Sequence, residues 1–280
     1  MYGLTNLQEL ITFETVGATR PRLSSTSLTG FTIGGEILVG IDVRPATGEL
    51  YGLSNQNQLY RINPTTGVST LVGPALTGLS GNAKALDFNP TVDRIRVLTS
   101  AGQNYRVHPD TGALVIADTP LQFAAGDPNA GETPLVVNGA YTNSFAGAAT
   151  TTLYDLDALN NILTTQAPPN NGTLNSIGSI GFDLVDSAGF TGFDISGQTG
   201  LAYLVGNNLG TGGLTVNNLY AVNLATGGAS LLGPVTGFSG SFRDIAVVGP
   251  AAVPEPSIIV GGLCGGALLL WKLRRKCLAA

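Results

Sequence analysis

Between residues 38 and 237 the sequence repeats itself with a period of about 45 residues. The phrase GIDVRPATGELYGLS (40–54) returns as ALDFNPTVDRIRVLTS (85–100) and as GFDISGQTGLAYLVG (192–206). A second phrase follows each: QLYRINPTTGVSTLVG (58–73), QNYRVHPDTGALVIAD (103–118) and NLYAVNLATGGASLLG (218–233). Every phrase is two short alternating apolar runs joined by a turn, the pattern of an antiparallel hairpin. In Asn63-Pro64-Thr65-Thr66-Gly67 the Asn side chain can cap the turn and Pro presets its φ. Gly then supplies the positive φ that closes the hairpin with a bulge. Arg44 to Gly48, His108 to Gly112, Ser196 to Gly200 and Asn223 to Gly227 repeat this grammar.

Two hairpins per repeat predict four-stranded units at 38–77, 84–121, 135–180 (the most degenerate) and 190–237. Four strands at this period are the signature of a β-propeller. The ends supply a fifth unit. FRDIAVV (242–248) reads as a first strand, and MYGLT, ELITFET and SSTSLTG read as the second, third and fourth. The expected fold is therefore an all-β, five-bladed β-propeller over residues 1–249, closed by pairing of the N- and C-terminal strands. Closure of this kind protects sheet edges. It also places Met1 inside a strand, so a signal peptide is expected upstream of the given start. MYGLTNLQELITFETVGATR is not one, because Glu9 and Glu14 interrupt it and it has no basic leader.

Charge and composition exclude several functions. Four of the 13 basic residues (Lys272, Arg274, Arg275, Lys276) lie in the last nine positions. Residues 1–250 hold nine basic against 17 acidic residues, which argues against a nucleic-acid partner. Both cysteines, Cys264 and Cys277, are in the tail, so the body has no disulfide and no catalytic thiol. The two are candidates for lipidation or apolar fillers of a membrane segment. The single histidine, His108, excludes multi-histidine metal sites within one chain, and it fills a turn slot.

The candidate site is an aspartate that recurs in the predicted first strand: Asp42, Asp87, Asp194 and Asp244, with Ala140 or Tyr141 at that place in the third unit. Carboxylates converging on a channel suit Ca²⁺, a hard cation that takes oxygen ligands. The other reading is that each Asp accepts backbone N–H groups and locks unit to unit. Glycoside hydrolysis needs two carboxyls at a fixed separation. Of the body's glutamates (Glu9, Glu14, Glu36, Glu49, Glu132), no pair stands out. Three segments exceed hairpin length, 122–134, 166–176 and 206–218, and their Asn, Thr and Gly content suits sugar hydroxyls. The tyrosines Tyr51, Tyr60, Tyr154, Tyr203 and Tyr220 recur at strand spacing and read as packing between units.

The tail has three parts. Residues 250–257 are a Pro-containing linker, 258–271 an uncharged apolar run expected to be a single membrane-targeting transmembrane helix, and 272–280 a basic cytoplasmic tail. Val253-Pro254-Glu255-Pro256, the apolar segment and the basic cluster together resemble the PEP-CTERM sorting signal of exosortase-containing Gram-negative bacteria. That resemblance implies export, transient anchoring, an exosortase-type processing enzyme as partner, and removal of the tail near Pro254–Pro256. The body is similar to a bacterial family catalogued as domain of unknown function 4394. LVGIDVRPATGELYGLS, FNPTVDRIRVLTSAGQNYRVHPDTG, AYTNSFAGAATTTLYDLD and RDIAVV carry that likeness. It implies a fold and an export context but no activity. The expected function is a non-enzymatic binding or scaffold module at the cell surface or in extracellular polysaccharide. Its cofactor is none or Ca²⁺, and the alternative is a glycan hydrolase or lyase using channel carboxylates.

Overall fold

The computed structural model describes residues 1–17, 19–80, 83–184, 191–209 and 215–249. Met1–Gly249 is one unit of the chain and Pro250–Ala280 a second. The sorting motif, the apolar run and the basic cluster all lie in the second, outside the described residues.

The described chain is all-β, with a single 3₁₀ turn at Pro169–Asn171. It opens with β1 (Tyr2–Thr5), β2 (Glu9–Phe13) and β3 (Arg20–Ser27). Next come β4 (Leu38–Val43), β5 (Leu50–Ser54), β6 (Leu59–Ile62) and β7 (Ser69–Leu71). The following set is β8 (Ala83–Asn89), β9 (Arg94–Thr99), β10 (Asn104–Val107) and β11 (Leu114–Ala117). After the short β12 (Gln122–Phe123) come β13 (Val136–Tyr141), β14 (Leu153–Asp157), β15 (Ile162–Gln166) and β16 (Thr173–Ser179). The last are β17 (Thr191–Ile195), β18 (Ala202–Leu209), β19 (Thr215–Val222), β20 (Ala229–Thr236) and β21 (Phe242–Ala246).

Each set pairs antiparallel in chain order: β4 to β7 (unit 1), β8 to β11 (unit 2), β13 to β16 (unit 3) and β17 to β20 (unit 4). In unit 5, β21 pairs with β1, and β2 and β3 follow. The register Tyr2↔Ala246, Gly3↔Ile245 joins the two ends of the body. Every expected set of four strands is present, and in unit 5 the fourth strand is Arg20–Ser27 rather than the expected SSTSLTG (24–30). Two parallel pairings were not foreseen. β12 adds to the outer strand β16, and the end of β20 pairs with the start of β3.

The first strands of the units contact one another in cyclic order: β4 with β8, β8 with β13, β13 with β17, β17 with β21, and β21 with β4. The core is correspondingly divided. There are five apolar clusters among the described residues, one at each junction between consecutive units. Leu53 and Tyr51 meet Phe88 and Val97 between units 1 and 2; Leu156 meets Phe193 and Leu204 between units 3 and 4. A sheet packed on both faces has no solvent side, so inner strands lose polar alternation. β5, β13 and β17 are buried at every position. Of the recurring tyrosines, Tyr51, Tyr60, Tyr203 and Tyr220 are core members and Tyr154 packs at the edge of one cluster.

The turn glycines serve twice. Gly67, Gly112, Gly172 and Gly227 have positive φ at the turn before the fourth strands of units 1 to 4. At the same place the outgoing end of the preceding unit's fourth strand crosses over them. A Cβ on Gly112 would strike the Val72 carbonyl oxygen, and one on Gly67 the Ser27 carbonyl oxygen. Gly172 meets the Thr119 and Pro120 carbonyls, and Gly227 meets Gly178. Gly48 also has positive φ, yet nothing lies near its absent side chain. Replacing Gly48 by Ala is expected to cost only the backbone term of about 1–2 kcal/mol. Gly112→Ala adds overpacking against backbone and is expected to cost about 3 kcal/mol or more. Urea unfolding of the two variants measures the difference; equal losses would mean the crossing is not close.

Candidate functional site

The first strands bring the predicted aspartates together, but not in one slot. Asp42, Asp87 and Asp194 lie opposite Tyr51, Arg96 and Tyr203. In unit 5 the residue opposite Tyr2 is Ala246, and Asp244 sits two residues earlier, opposite Leu4. In unit 3 the slot opposite Tyr154 holds Ala140. Asn138, opposite Leu156, is the counterpart of Asp244. The expected ring of four equivalent aspartates is therefore a layer of three, with Asp244 and Asn138 in a layer behind. Units 1, 2, 3 and 5 share the same register, with the same shift at the start of the first strand, so Asp244 occupies the slot that Gly40 fills in unit 1; matching aspartate to aspartate in the sequence misplaced it by two residues.

All four carboxyls are 1–5 % exposed. Each accepts a backbone N–H from the next unit. Asp42 Oδ2 takes Phe88 N–H at 2.8 Å, Asp87 Oδ1 takes Tyr141 N–H at 2.9 Å, and Asp194 Oδ2 takes Val247 N–H at 2.5 Å. Asp244 Oδ2 takes Ile41 N–H at 2.9 Å. Unit 3 makes the fifth link in reverse: Asn138 Nδ2 donates to the Thr191 carbonyl at 3.0 Å. The same amide reaches Asp244 Oδ1 at 2.9 Å, although units 3 and 5 are not neighbours in the cycle. Second oxygens are mostly taken as well. Val43, Ile195 and Ile245 N–H bond Asp42, Asp194 and Asp244 of their own strands. Asp87 Oδ2 alone has no hydrogen bond among the described residues.

Burial and mutual repulsion act on these groups together. Burial, then the charge of Asp194, holds the Asp42 carboxyl well above the usual range. Burial, then Asp42 and Asp194, does the same to Asp87. Burial raises Asp244 likewise and pushes Asp194 up to about 7. One oxygen from each of Asp42, Asp87 and Asp194 can be chosen so that all lie within 4.8 Å of one another. Calcium needs six to eight oxygens, and here two of the three carboxylates already have both oxygens committed to backbone N–H groups. The donor set fits a clamp better than a cation cage.

Sequence reasoning missed three polar groups. Arg44 is buried between units 1 and 2, where it binds Asp93 (2.5 and 2.9 Å) and Asp110 (2.6 Å). Arg96 is buried between units 2 and 3. It donates to Asn104 and Asp118 at 2.6 Å, Asn170 at 2.8 Å and the Tyr141 hydroxyl at 3.1 Å. Asp155 is fully buried beside it, neither oxygen bonded among the described residues, and burial pushes its pKa to about 8. An Arg directly after the apolar first strand β4, and another inside the apolar second strand β9, are the signals that could have flagged the first two.

The long segments are smaller than expected. β18 and β19 extend into 206–218, and the turn between them lies outside the described residues. Segment 166–176 is the end of β15, a 3₁₀ turn and the start of β16, with Asn170 held by Arg96. Segment 122–134 opens with β12, then Asp127 accepts Ser176 N–H at 2.7 Å. His108 Nδ1 accepts Asp110 N–H at 3.2 Å, a turn role.

Residues 9–246 match the model of a family described as Domain of unknown function (DUF4394), and the chain belongs to that family. No curated protein sequence matches it. Among solved structures it is similar to the crystal structure of Myxococcus xanthus glutaminyl cyclase, at 14% sequence identity and a TM-score of 0.47. That alignment covers 71% of this chain and 77% of the cyclase.

A carboxyl whose native pKa exceeds its unfolded value binds more protons when folded, so its contribution to stability is greatest in acid and falls as pH rises. With Asp194 raised from 3.8 to about 7, stability is expected to fall between pH 5 and 8. Asp87→Asn removes one of the repelling charges and keeps an oxygen for Tyr141 N–H. It is expected to flatten this slope and to stabilise the protein at pH 8, read from urea unfolding at both pH values. A loss of more than about 2 kcal/mol at pH 8 would mean the ionised group is required, as in a cation site.

Proposed function

We propose that the five units are the blades of a five-bladed β-propeller, and that it acts as an exported, non-enzymatic binding or scaffold module. The blade reading is supported by the cyclic contacts of the first strands and by one apolar cluster per junction. The observation that carries the binding reading is the commitment of the central carboxylates. A hydrolase needs an acid and a base free to meet substrate. Here Asp42, Asp194 and Asp244 are buried and spend their oxygens on backbone N–H groups. The chemistry the arrangement supports is holding units together, which leaves loops on a rigid frame to do the binding.

Export rests on the sequence of the tail. Val253-Pro254-Glu255-Pro256, the apolar run 258–271 and the basic cluster Lys272, Arg274, Arg275 and Lys276 fit processing by an exosortase-type enzyme and delivery to the surface of a Gram-negative cell or its polysaccharide matrix. Among the described residues no helix is long and apolar enough to cross a membrane. Mass spectrometry of the protein recovered from outside producing cells tests this. The expected product ends near Pro254–Pro256, and it should accumulate uncleaved in the membrane fraction when the processing enzyme is deleted. Full-length protein in the cytosol of both strains would contradict the proposal.

A further inference from the structure

Two neighbouring positions of the second strands carry the same chemistry in four units and break it in the fifth. The residue opposite the Asp42 slot is Tyr51, Tyr154, Tyr203 and Tyr2 in units 1, 3, 4 and 5, but Arg96 in unit 2. The residue opposite the place before that slot is Gly52, Val97, Leu204 and Gly3 in units 1, 2, 4 and 5, but Asp155 in unit 3. Neighbouring residues on a strand face opposite ways. The first position faces the following unit and the second the preceding one, as Tyr51 and Val97 show by sharing the cluster between units 1 and 2. Arg96 and Asp155 therefore face the same junction, between units 2 and 3. The fold is built four times without either, so neither is there for the repeat.

The two are buried neighbours without being bonded. Asp155 Oδ1 fills the space beside Gly139 where a Cβ would stand, next to Leu98, which shares a face of β9 with Arg96. Both Asp155 oxygens lack a hydrogen bond among the described residues. The guanidinium instead donates from Nε to Tyr141, from Nη1 to Asn104 and Asp118, and from Nη2 to Asn170. Of the two N–H groups on Nη2, these bonds use one. Asp118 does not depend on Arg96, because Arg106 also holds it through two bonds of 2.8 Å. Asn170 sits in the turn Pro169–Asn171, which ties unit 2 to unit 3: Thr119 N–H bonds the Asn170 carbonyl at 3.2 Å and Gln122 N–H the Gly172 carbonyl at 2.9 Å.

We propose that Arg96 has two positions: it holds Asn170 while Asp155 is neutral and moves onto Asp155 when that carboxyl ionises, so that rising pH releases the turn 169–172 from unit 2.

A buried carboxylate needs donors, whereas a buried neutral carboxyl tolerates their absence far better. Burial pushes Asp155 up to about 8 against the pull of Arg96, so the neutral form prevails below that pH and the charged form above it. The other charged and titratable groups around the pair, among the described residues, are Arg106 on β10, Asp118 after β11, Asp127 beyond β12, Asp87 on β8, Tyr141 on β13 and Asp157 on β14. β15, β16 and the turn carry none. Asp118 is paired with two arginines, and Asp127 is bonded to Ser176. Asp157 is held by Leu135 N–H, Leu159 N–H and the Asn160 amide. Asp87 accepts Tyr141 N–H and is itself raised by burial, so the test replaces Asp155 alone.

The test is native-state hydrogen exchange of the full chain at pH 7 and pH 9, with intrinsic exchange rates divided out. Thr119 and Gln122 report the turn. Thr29, whose N–H bonds the Gly67 carbonyl at the corresponding place between units 5 and 1, is the internal control. At pH 9 the ionised form of Asp155 outweighs the neutral one by about ten to one. The protection of Thr119 and Gln122 is expected to fall at least tenfold relative to Thr29 between the two pH values. Asp155→Asn cannot ionise and should abolish that relative fall. Asn170→Ala removes the bond that the switch breaks, so it should leave both amides poorly protected at either pH, even if the first variant does not fold. A parent whose three amides change together, or a relative fall that persists in either variant, would overturn the proposal.

Discussion

Everything else in this body depends on one contact made repeatedly: a buried side chain of one first strand bonded to the backbone of the next. Asp42, Asp87, Asp194 and Asp244 accept, and Asn138 donates. A charged acceptor bonded to N–H contributes about 1.5–3 kcal/mol, and losing either partner in a buried place costs at least as much. Five such links form a cycle, so no unit can leave without breaking two. The arrangement has an electrostatic price, since like charges within a few ångströms of each other raise one another's pKa. Protons shared among the carboxyls relieve it.

A second cycle runs around the outside. At four junctions a fourth strand ends across the turn of the next, where glycine lets the backbones touch, and between units 4 and 5 the end of β20 pairs with the start of β3. Between the inner and outer cycles lie the five apolar clusters. The chain ends enter both cycles: β21 supplies Asp244, and β3 receives the end of β20. Sealing the body by β1 and β21 is thus the same operation as completing the links.

The repeat made the strands, turns and units legible because each carries a local signal. Alternation marks the strands, and Pro and Gly at fixed offsets mark the turns. Closure was legible from one likeness, MYGLT to ELYGLS. What could not be read was anything set by register between units. Asp244 sits one layer behind Asp42 because it stands two residues earlier on its strand, in the slot that Gly40 fills on β4, and matching aspartate to aspartate hid that offset. Asn138 substitutes for an aspartate by reversing donor and acceptor, so a search for repeated carboxylates passes over it. Arg44 and Arg96 satisfy partners far away in sequence. Gly67 and Gly112 were read for their φ, and their closeness to the neighbouring unit became visible only in three dimensions. The long segments were overestimated because Asn-, Thr- and Gly-rich stretches were taken for loops where β16, β18 and β19 run through them.

The most direct test of the linked cycle is native-state hydrogen exchange of the amides that the carboxylates hold: Ile41, Phe88, Tyr141 and Val247. If the links act as one cooperative device, all four amides exchange only through global unfolding, with the same free energy and the same response to denaturant. If one of them, Val247 beside the chain closure above all, opens several kcal/mol before the rest, the units are held by their apolar clusters alone and the cycle is not what closes the fold.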